Sequence, residues 1–161
     1  MTGAPPHRPL RIGLIADTHG LLRPAALERL QGCDHLIHAG DVGNPDILAA
    51  LERIAPVSVV RGNNDTGDWA QNLPERLLVK IQRITLYILH DLKTLDIDPA
   101  SQGISAVISG HSHAPQQYER DGVLYLNPGS AGPRRFKLPI SIAELHLDNG
   151  RLQAELIELP S

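Results

Sequence analysis

The chain has 161 residues, a formal net charge of −3 and one cysteine, Cys33. This length suits one domain with a substantial core and is short for two. The mildly acidic balance excludes a general nucleic-acid surface, which needs an excess of basic residues, and one cysteine excludes an internal disulfide. No stretch approaches the roughly 20 apolar residues that cross a bilayer, so we expect a cytoplasmic protein without a membrane segment.

The first half of the chain alternates strands with helices. Residues 1–9 predict a flexible N-terminal arm, and residues 10–161 a single domain. Strands are predicted at 12–16, 36–39 and 57–60, and helices at 24–31 and 45–54, the second capped by Asn44. This strand–helix–strand–helix–strand order predicts a parallel sheet with right-handed crossovers.

The second half of the chain is richer in hairpins. Strand-like runs occupy 76–81, 84–89, 106–109, 116–120, 123–126, 140–147 and 152–159, with a short helix around 99–102. Three pairs of runs are separated by very short turns, of which Asp121-Gly122 and Asn149-Gly150 are strong turn dipeptides. The mixture predicts an α/β fold in which two sheets pack together, with helices outside.

Five of the predicted strands run directly into side chains that bind metals. These residues are Asp17, His19, Asp41, Asn63, His90, His111 and His113. Because ligands bind at the carboxyl ends of strands in α/β sheets, we expect the seven side chains to converge. Their donors are oxygen and imidazole nitrogen without a thiolate, which suits Mn, Fe, Zn or Ni.

Seven ligands are too many for one ion that keeps a position open for substrate, so the sequence predicts two divalent ions. Asp41 is the natural bridging ligand because Gly40 and Gly43 allow a close approach of the backbone. Two carboxylates leave positive charge on such a centre, which suits an anionic substrate. Two metals about 3.5–4 Å apart are typical of phosphoryl chemistry.

The ordered motifs DTHG, GD, GNND and GHSH resemble those of the calcineurin-like metallophosphoesterase superfamily. The short chain and the NPGS turn resemble its small bacterial and archaeal phosphodiesterase branch, which is related in fold to the phosphoesterase-like subunit of retromer. The resemblance covers residues 10–159. It implies a four-layer α/β/β/α sandwich of two mixed sheets flanked by helices.

With the complete ligand set, we expect a dinuclear phosphodiesterase in which a metal-bridging hydroxide attacks phosphorus, with manganese as the expected metal and Fe, Zn or Ni as alternatives. By motif position, one ion is held by Asp17, His19 and His113, the other by Asn63, His90 and His111, and Asp41 bridges them. The expected partner is a small phosphoester substrate, and a homo-oligomer is left open. The alternative is a non-catalytic protein-interaction scaffold of the same fold.

Two residues complete a predicted catalytic set with Asp41 and Asn63. Asn64 stands where many superfamily members carry a histidine, and it donates a hydrogen bond but cannot deliver a proton. Asp65 either hydrogen-bonds a ligand histidine or caps the following turn. The sequence also departs from the usual His-Gly pair at Asp91, which could orient a ligand, stabilise a metal or face solvent.

Other residues near the motifs have alternative interpretations. Thr18 is expected to be a spacer that points away from the site, and His38 a packed residue or a neighbour of the ligands. Asn127 and Ser130 are expected to shape the loop beside the site. Arg134 and Arg135 either bind substrate phosphate or are solvated, and Trp69 is a lid, an interface anchor or a residue that holds its own loop.

Overall fold

Two five-stranded sheets pack face to face in the computed structural model, which describes residues 9–160. Most of the predicted arm, residues 1–8, lies outside the described residues. The first sheet has the order β10-β9-β1-β2-β3 and the second the order β4-β5-β6-β8-β7. The strands are β1 (Leu10–Ile15), β2 (His35–His38), β3 (Val57–Val59), β4 (Arg76–Ile81), β5 (Ile84–Leu89), β6 (Ala106–Ile108), β7 (Gln116–Arg120), β8 (Val123–Asn127), β9 (Ser141–Asp148) and β10 (Arg151–Glu158).

The first sheet confirms the predicted parallel unit. Strand β1 pairs in parallel with β2, and β2 with β3, while β9 runs antiparallel to β1. The crossovers are α1 (Pro24–Leu30) and α2 (Pro45–Glu52). Asn44 caps α2 as predicted, because its side chain accepts a hydrogen bond of 2.9 Å from the Asp46 amide. A proline opens each helix, where no intrahelical amide bond is lost.

The main core lies between the two sheets. Ile12 and Leu14 point from β1 into this layer, whereas Ile15 faces the helices, as the alternation of a strand requires. Residues from the second sheet, including Leu86 and Ile108, complete the layer and are fully buried. Each such side chain contributes about 1.5–3 kcal/mol to folding by its burial.

The fourth layer of the sandwich consists of short 3-10 turns rather than α-helices. They cover the outer face of the second sheet, where Tyr87, Val107 and Tyr125 form a separate apolar cluster. The turns span Leu92–Thr94 and Ala100–Gln102, so the helix predicted at 99–102 is a single 3-10 turn. Pro99 and Gly103 keep this segment from continuing as an α-helix.

The strand directions give the sandwich two different ends. The carboxyl ends of β1, β2, β3, β5 and β6 lie at what we call the site end. The turns of the β4–β5, β7–β8 and β9–β10 hairpins lie opposite, at the hairpin end. Among residues 9–160, no helix is both long and apolar enough to cross a membrane.

Candidate metal centre

The predicted ligands gather at the site end in two groups. Within each group the ligand atoms lie within 4.8 Å of one another. The first group is Asp17, His19 and His113, and the second is Asp41, His90 and His111. The fold thus brings together Asp17, His19 and His113, and separately His90 and His111, as the motifs predict; that each group holds one ion stays a prediction.

Asp41 lies between the two groups. Its Oδ2 atom is 3.1 Å from Nε2 of His90 and 3.6 Å from Nε2 of His19, which belongs to the other group. The predicted bridging position is consistent with both distances. Asn63 joins the second group, because its Oδ1 atom lies 3.2 Å from Nδ1 of His111.

The ligand residues adopt an unusual backbone conformation. Five of them have positive φ angles, namely Asp17 (55°), His19 (46°), Asp41 (56°), His111 (72°) and His113 (64°). Such left-handed conformations cost on the order of 1–3 kcal/mol each and persist only where the surrounding structure enforces them. Here the enforcement is tertiary: the Asp17 amide donates to the Gly40 carbonyl and the His19 amide to the Asp41 carbonyl, at 3.0 and 2.9 Å.

His90 is oriented by the backbone. Its Nδ1 donates to the carbonyl oxygen of Ala39 at 2.8 Å, so Nε2 faces the cluster. Gly40 is required at this point, because a Cβ atom there would lie only 2.6 Å from Nδ1 of His90. The close approach is possible only because Gly40, with φ of +102°, has no side chain.

Asp65 does not contact a ligand histidine, so it does not play the predicted part of a hydrogen-bond partner that fixes the tautomer of a ligand. Its carboxylate instead accepts hydrogen bonds from the backbone amides of Gly62, Val42 and Gly43, at 2.9, 3.2 and 2.9 Å. These amides follow two different strands, and those of Gly62 and Val42 are buried from water, so they need an acceptor. Asp65 therefore ties the two motif loops together.

Asn64 makes the hydrogen bonds expected of a donor, and it makes them to Asp41. Its backbone amide lies 2.8 Å from Oδ1 and its side-chain amide 3.2 Å from Oδ2. Asn64 thus fixes the carboxylate that lies between the two groups. A catalytic role for Asp41, Asn63, Asn64 and Asp65 remains a prediction.

Thr18 is more than a spacer. It is fully buried and links His38 to the next motif loop, since its Oγ1 lies 3.0 Å from Nε2 of His38 and donates to the Val42 carbonyl at 2.8 Å. Nδ1 of His38 accepts a hydrogen bond from the Gly40 amide. This places the proton on Nε2 and keeps the ring neutral, and burial lowers the pKa of His38 to about 3.

The electrostatics of the site favour a bound cation. Burial raises the pKa of Asp17 to about 7, with a contribution from the charge on Asp41. Burial also acts on Asp41, but hydrogen bonds from His90 and the Asn64 amide outweigh it and lower the pKa of Asp41 to about 2. Among the described residues, Oδ1 of Asp17 and Nδ1 of His113 are buried without a hydrogen-bond partner. An unpartnered carboxylate oxygen among histidines, in a site with no thiolate, fits divalent metal ions.

Loop residues around the site have structural roles that the sequence indicated. Asn127 donates to the Gly110 carbonyl and accepts from the Gly129 amide, and Ser130 donates to the Asp17 carbonyl. Both residues therefore shape the loops that hold the ligands, as expected. Trp69 packs against the core beneath the helices and holds its own loop, so it is not a lid over the metal site.

Two clefts open beside the ligand groups, with volumes of about 600 and 570 Å³. They share Asp91 and His111 as a common wall. Arg61 is one of the cationic residues that line the first cleft, and Arg135 is one of those that line the second. Arg135 also lowers the pKa of His113, after burial as the larger cause, so its charge reaches the site.

A third group of metal-ligand types lies away from the site, on β9 and β10, and was not predicted. It consists of Glu144, His146 and Glu155. Glu144 is already paired with Arg11 at 2.9 Å and lies 3.6 Å from Arg29. Two guanidinium groups neutralise the carboxylates here, so the group is an ion-pair cluster around the buried Glu144.

Comparison with known proteins gives a consistent picture. The family model of the calcineurin-like phosphoesterase superfamily domain matches residues 10–150. A protein of Methanothermobacter thermautotrophicus named "Probable metallophosphoesterase" is 33% identical over 158 residues, covering 91% of each chain. The structure of an archaeal phosphodiesterase is similar with a TM-score of 0.74 and 25% identity, covering 92% of this chain and 100% of the other.

The fold is also shared with a protein of a different name. Vacuolar protein sorting 29 from Cryptosporidium parvum is similar with a TM-score of 0.75, covering 96% of this chain and all of the other. The two sequences are 20% identical, so this likeness concerns the fold alone.

Proposed function

The chain belongs to the calcineurin-like phosphoesterase superfamily, and from this premise we propose that it hydrolyses phosphodiesters with two divalent metal ions. The observation that carries the proposal is the pair of ligand groups with Asp41 between them. Seven donors from five strand exits form a ligand set too large for one ion that keeps an open position.

Two ions, when bound, lower the pKa of coordinated water and neutralise the charge of the phosphate. Residues of the chain keep the negative charge of the Asp41 carboxylate in a fixed position beside such ions. Asp41 remains ionised because its pKa is about 2, and Asn64 fixes its carboxylate with two hydrogen bonds. The mixed imidazole and carboxylate donors support Mn, with Fe, Zn or Ni as alternatives.

A diester is favoured over a monoester by the shape of the site and by one residue. The phosphorus of a diester carries two substituents, and the two clefts that meet at Asp91 and His111 give each a place. Asn64 occupies the position where many family members have a histidine, and it cannot protonate a leaving group. Arg135 supplies a positive charge near the site for the phosphate.

The test compares the parent with Asp41→Asn after loading with Mn²⁺. Bis(p-nitrophenyl) phosphate reports diester hydrolysis, and p-nitrophenyl phosphate reports monoester hydrolysis. We expect the parent to prefer the diester and kcat/KM of the variant to fall by at least about 100-fold, since the bridging ligand loses its charge. Asp121→Asn, in a turn at the hairpin end, is the matched control and should retain parent activity.

If the parent protein hydrolyses neither ester with Mn, Zn, Fe or Ni, the proposed phosphodiesterase activity is wrong. The second candidate, a non-catalytic scaffold for protein interactions, is favoured by the fold shared with vacuolar protein sorting 29. It predicts that calorimetry detects no metal uptake by the parent. Stoichiometric uptake of two ions together with diester hydrolysis would exclude it.

A further inference from the structure

The two clefts beside the metal centre differ in how their cationic side chains are paired. In the first cleft, Nη2 of Arg61 lies 2.7 Å from a carboxylate oxygen of Glu75. Arg76 lines the same cleft, pairs with Asp96 at 3.0 Å and donates to the Thr94 carbonyl at 2.8 Å. Both guanidinium groups therefore already have acceptors of their own, and little positive charge is left for a ligand in this cleft.

The second cleft contains cationic side chains without such partners. Lys93 and Arg135 line it, and within residues 9–160 neither side chain forms an ion pair or a hydrogen bond. The charge of Arg135 also reaches the ligands of the metal centre. Burial raises the pKa of Asp17 and lowers that of His113, and the guanidinium group of Arg135 acts on both residues as a further cause. The second cleft therefore presents unpaired positive charge directly beside the centre.

Ser112 adds a hydrogen-bond donor to the second cleft. Its Oγ atom accepts two hydrogen bonds, from the side-chain amide of Asn127 at 3.0 Å and from the backbone amide of Ala114 at 3.2 Å. A hydroxyl that accepts twice has only its own proton left to offer, and this proton has no acceptor in the part of the chain that the structure describes. Ser112 is exposed and stands between the ligands His111 and His113, so its proton is available next to the centre.

The carboxylate that lines the second cleft belongs to Asp91, on the wall shared with the first cleft. Its Oδ1 atom accepts a hydrogen bond of 3.0 Å from the Lys93 amide and so caps the 3-10 turn Leu92–Thr94. Its Oδ2 atom lies 3.8 Å from Nε2 of His111. Since Lys93 and Arg135 carry two positive charges against this one negative charge, the residues that line the second cleft have a net positive charge.

We propose that the second cleft binds a phosphate monoester carried by one of the two substituents of the diester, held by Lys93, Arg135 and Ser112. The inference rests on the proposed phosphodiesterase function and names its substrate class: diesters with an additional terminal phosphate, such as a 5′-phosphorylated dinucleotide. Guanidinium, ammonium and hydroxyl groups are donors that a phosphate group, with its several acceptor oxygens, binds together. A volume of about 570 Å³ has room for a substituent of nucleotide size.

The first experiment measures hydrolysis of two matched substrates by the full chain loaded with Mn²⁺. The dinucleotide pApA carries a 5′-phosphate that ApA lacks, while the diester between the nucleosides is the same. We expect kcat/KM of the parent to be about tenfold higher for pApA, because hydrogen bonds between charged groups are strong. Lys93→Met and Arg135→Gln should each lower this ratio about fivefold. Lys137→Met is the matched control, because it removes a cation from the loop of Arg135 that does not line the cleft, and the ratio should stay at the parent value.

The ratio distinguishes a second phosphate site from a general effect of positive charge. If these cations serve only the phosphate that is hydrolysed, each variant slows pApA and ApA by the same factor. A parent ratio below about twofold, or an unchanged ratio in both Lys93→Met and Arg135→Gln, would overturn the inference.

The second experiment measures binding without catalysis. The metal-free full chain is titrated in a calorimeter with AMP and with adenosine, so that only donors of the protein itself can hold the phosphate. We expect AMP to bind about tenfold more tightly than adenosine, and Lys93→Met and Arg135→Gln to remove most of this difference. Equal affinities of the parent for AMP and adenosine, or a preference for AMP that both variants keep, would contradict the proposed site.

These outcomes separate the inference from the proposed function. If AMP binding depends on Lys93 and Arg135 but the loaded parent hydrolyses no diester, the phosphate site stands and the enzymatic proposal is wrong. If the parent hydrolyses pApA and ApA with equal kcat/KM, the enzymatic proposal stands and the inference is wrong.

Discussion

The two ends of the sandwich use left-handed backbone in different ways. At the hairpin end, Gln82, Asp121 and Asn149 have φ angles of 55°, 53° and 52° and lie in two-residue turns. Such turns require positive φ, and Asp or Asn followed by Gly supplies it locally. At the site end, the left-handed residues are the ligands Asp17, His19, Asp41, His111 and His113.

The difference lies in what holds the conformation. Each hairpin turn is fixed by the strands on either side of it, within a few residues. At the site end the enforcing hydrogen bonds join distant parts of the chain, as when the His111 amide donates to Oδ2 of Asp17 at 3.0 Å. Strain at the hairpin end therefore serves the turn, whereas strain at the site end aims side chains at a common point.

The largest expected effect comes from two left-handed glycines, one at each end. In Gly40→Ala the new methyl group would lie 2.6 Å from Nδ1 of His90, whereas at Gly150 nothing lies within 4 Å. We expect Gly40→Ala to weaken metal binding and diester kcat/KM by about 100-fold. Gly150→Ala should cost about 1 kcal/mol in urea unfolding, from backbone strain alone, with parent activity. Equal effects of the two variants on metal binding would contradict the comparison.

A smaller effect is expected from replacing two aspartates, Asp65 at the site end and Asp121 at the hairpin end. Asp65→Ala leaves the amides of Gly62, Val42 and Gly43, the first two of them buried, without their acceptor, so we expect a loss of about 3 kcal/mol of stability and weaker metal binding. Asp121→Ala removes an exposed turn residue and should cost at most about 1 kcal/mol. Urea unfolding and MnCl₂ titration of both variants measure the contrast. An Asp65→Ala variant with full metal affinity would show that the hydrogen bonds of the Asp65 carboxylate are not needed for metal binding.

The smallest expected effect is the loss of folding stability at low pH that is due to His38. His38 has a pKa of about 3 in the folded state and about 6.5 when unfolded, so below pH 6.5 the unfolded chain binds more protons. Stability therefore falls as pH drops, with His38 contributing about 2 kcal/mol of the loss between pH 8 and pH 5. His38→Gln carries no charge at any pH and should show a shallower pH dependence in metal-free urea unfolding. Parallel pH profiles for parent and variant would contradict the assignment.

Much of the fold follows from local patterns. Apolar runs of strand length, the Asn44 cap and the turn dipeptides at 121–122 and 149–150 predicted strands and helices whose observed ends differ by at most two residues. The 3-10 segment covering the second sheet was predicted less well, because its short turns, with three aspartates and one proline over 91–103, leave no periodic signal. Its packing depends on the apolar face of the sheet that it covers.

The sequence by itself determined the succession of strands and helices along the chain, the kinds of side chain at the strand ends, and the family. A strand that ends in Asp or His is visible because periodicity and ligand chemistry are local properties. Tertiary structure alone decided three contacts at the site: the hydrogen bonds from backbone amides to Asp65, the buried link from Thr18 to His38, and the contact of Asp91 with His111. Each joins residues about 20 positions apart, and their approach depends on how the strands and sheets pack rather than on any pattern along the chain.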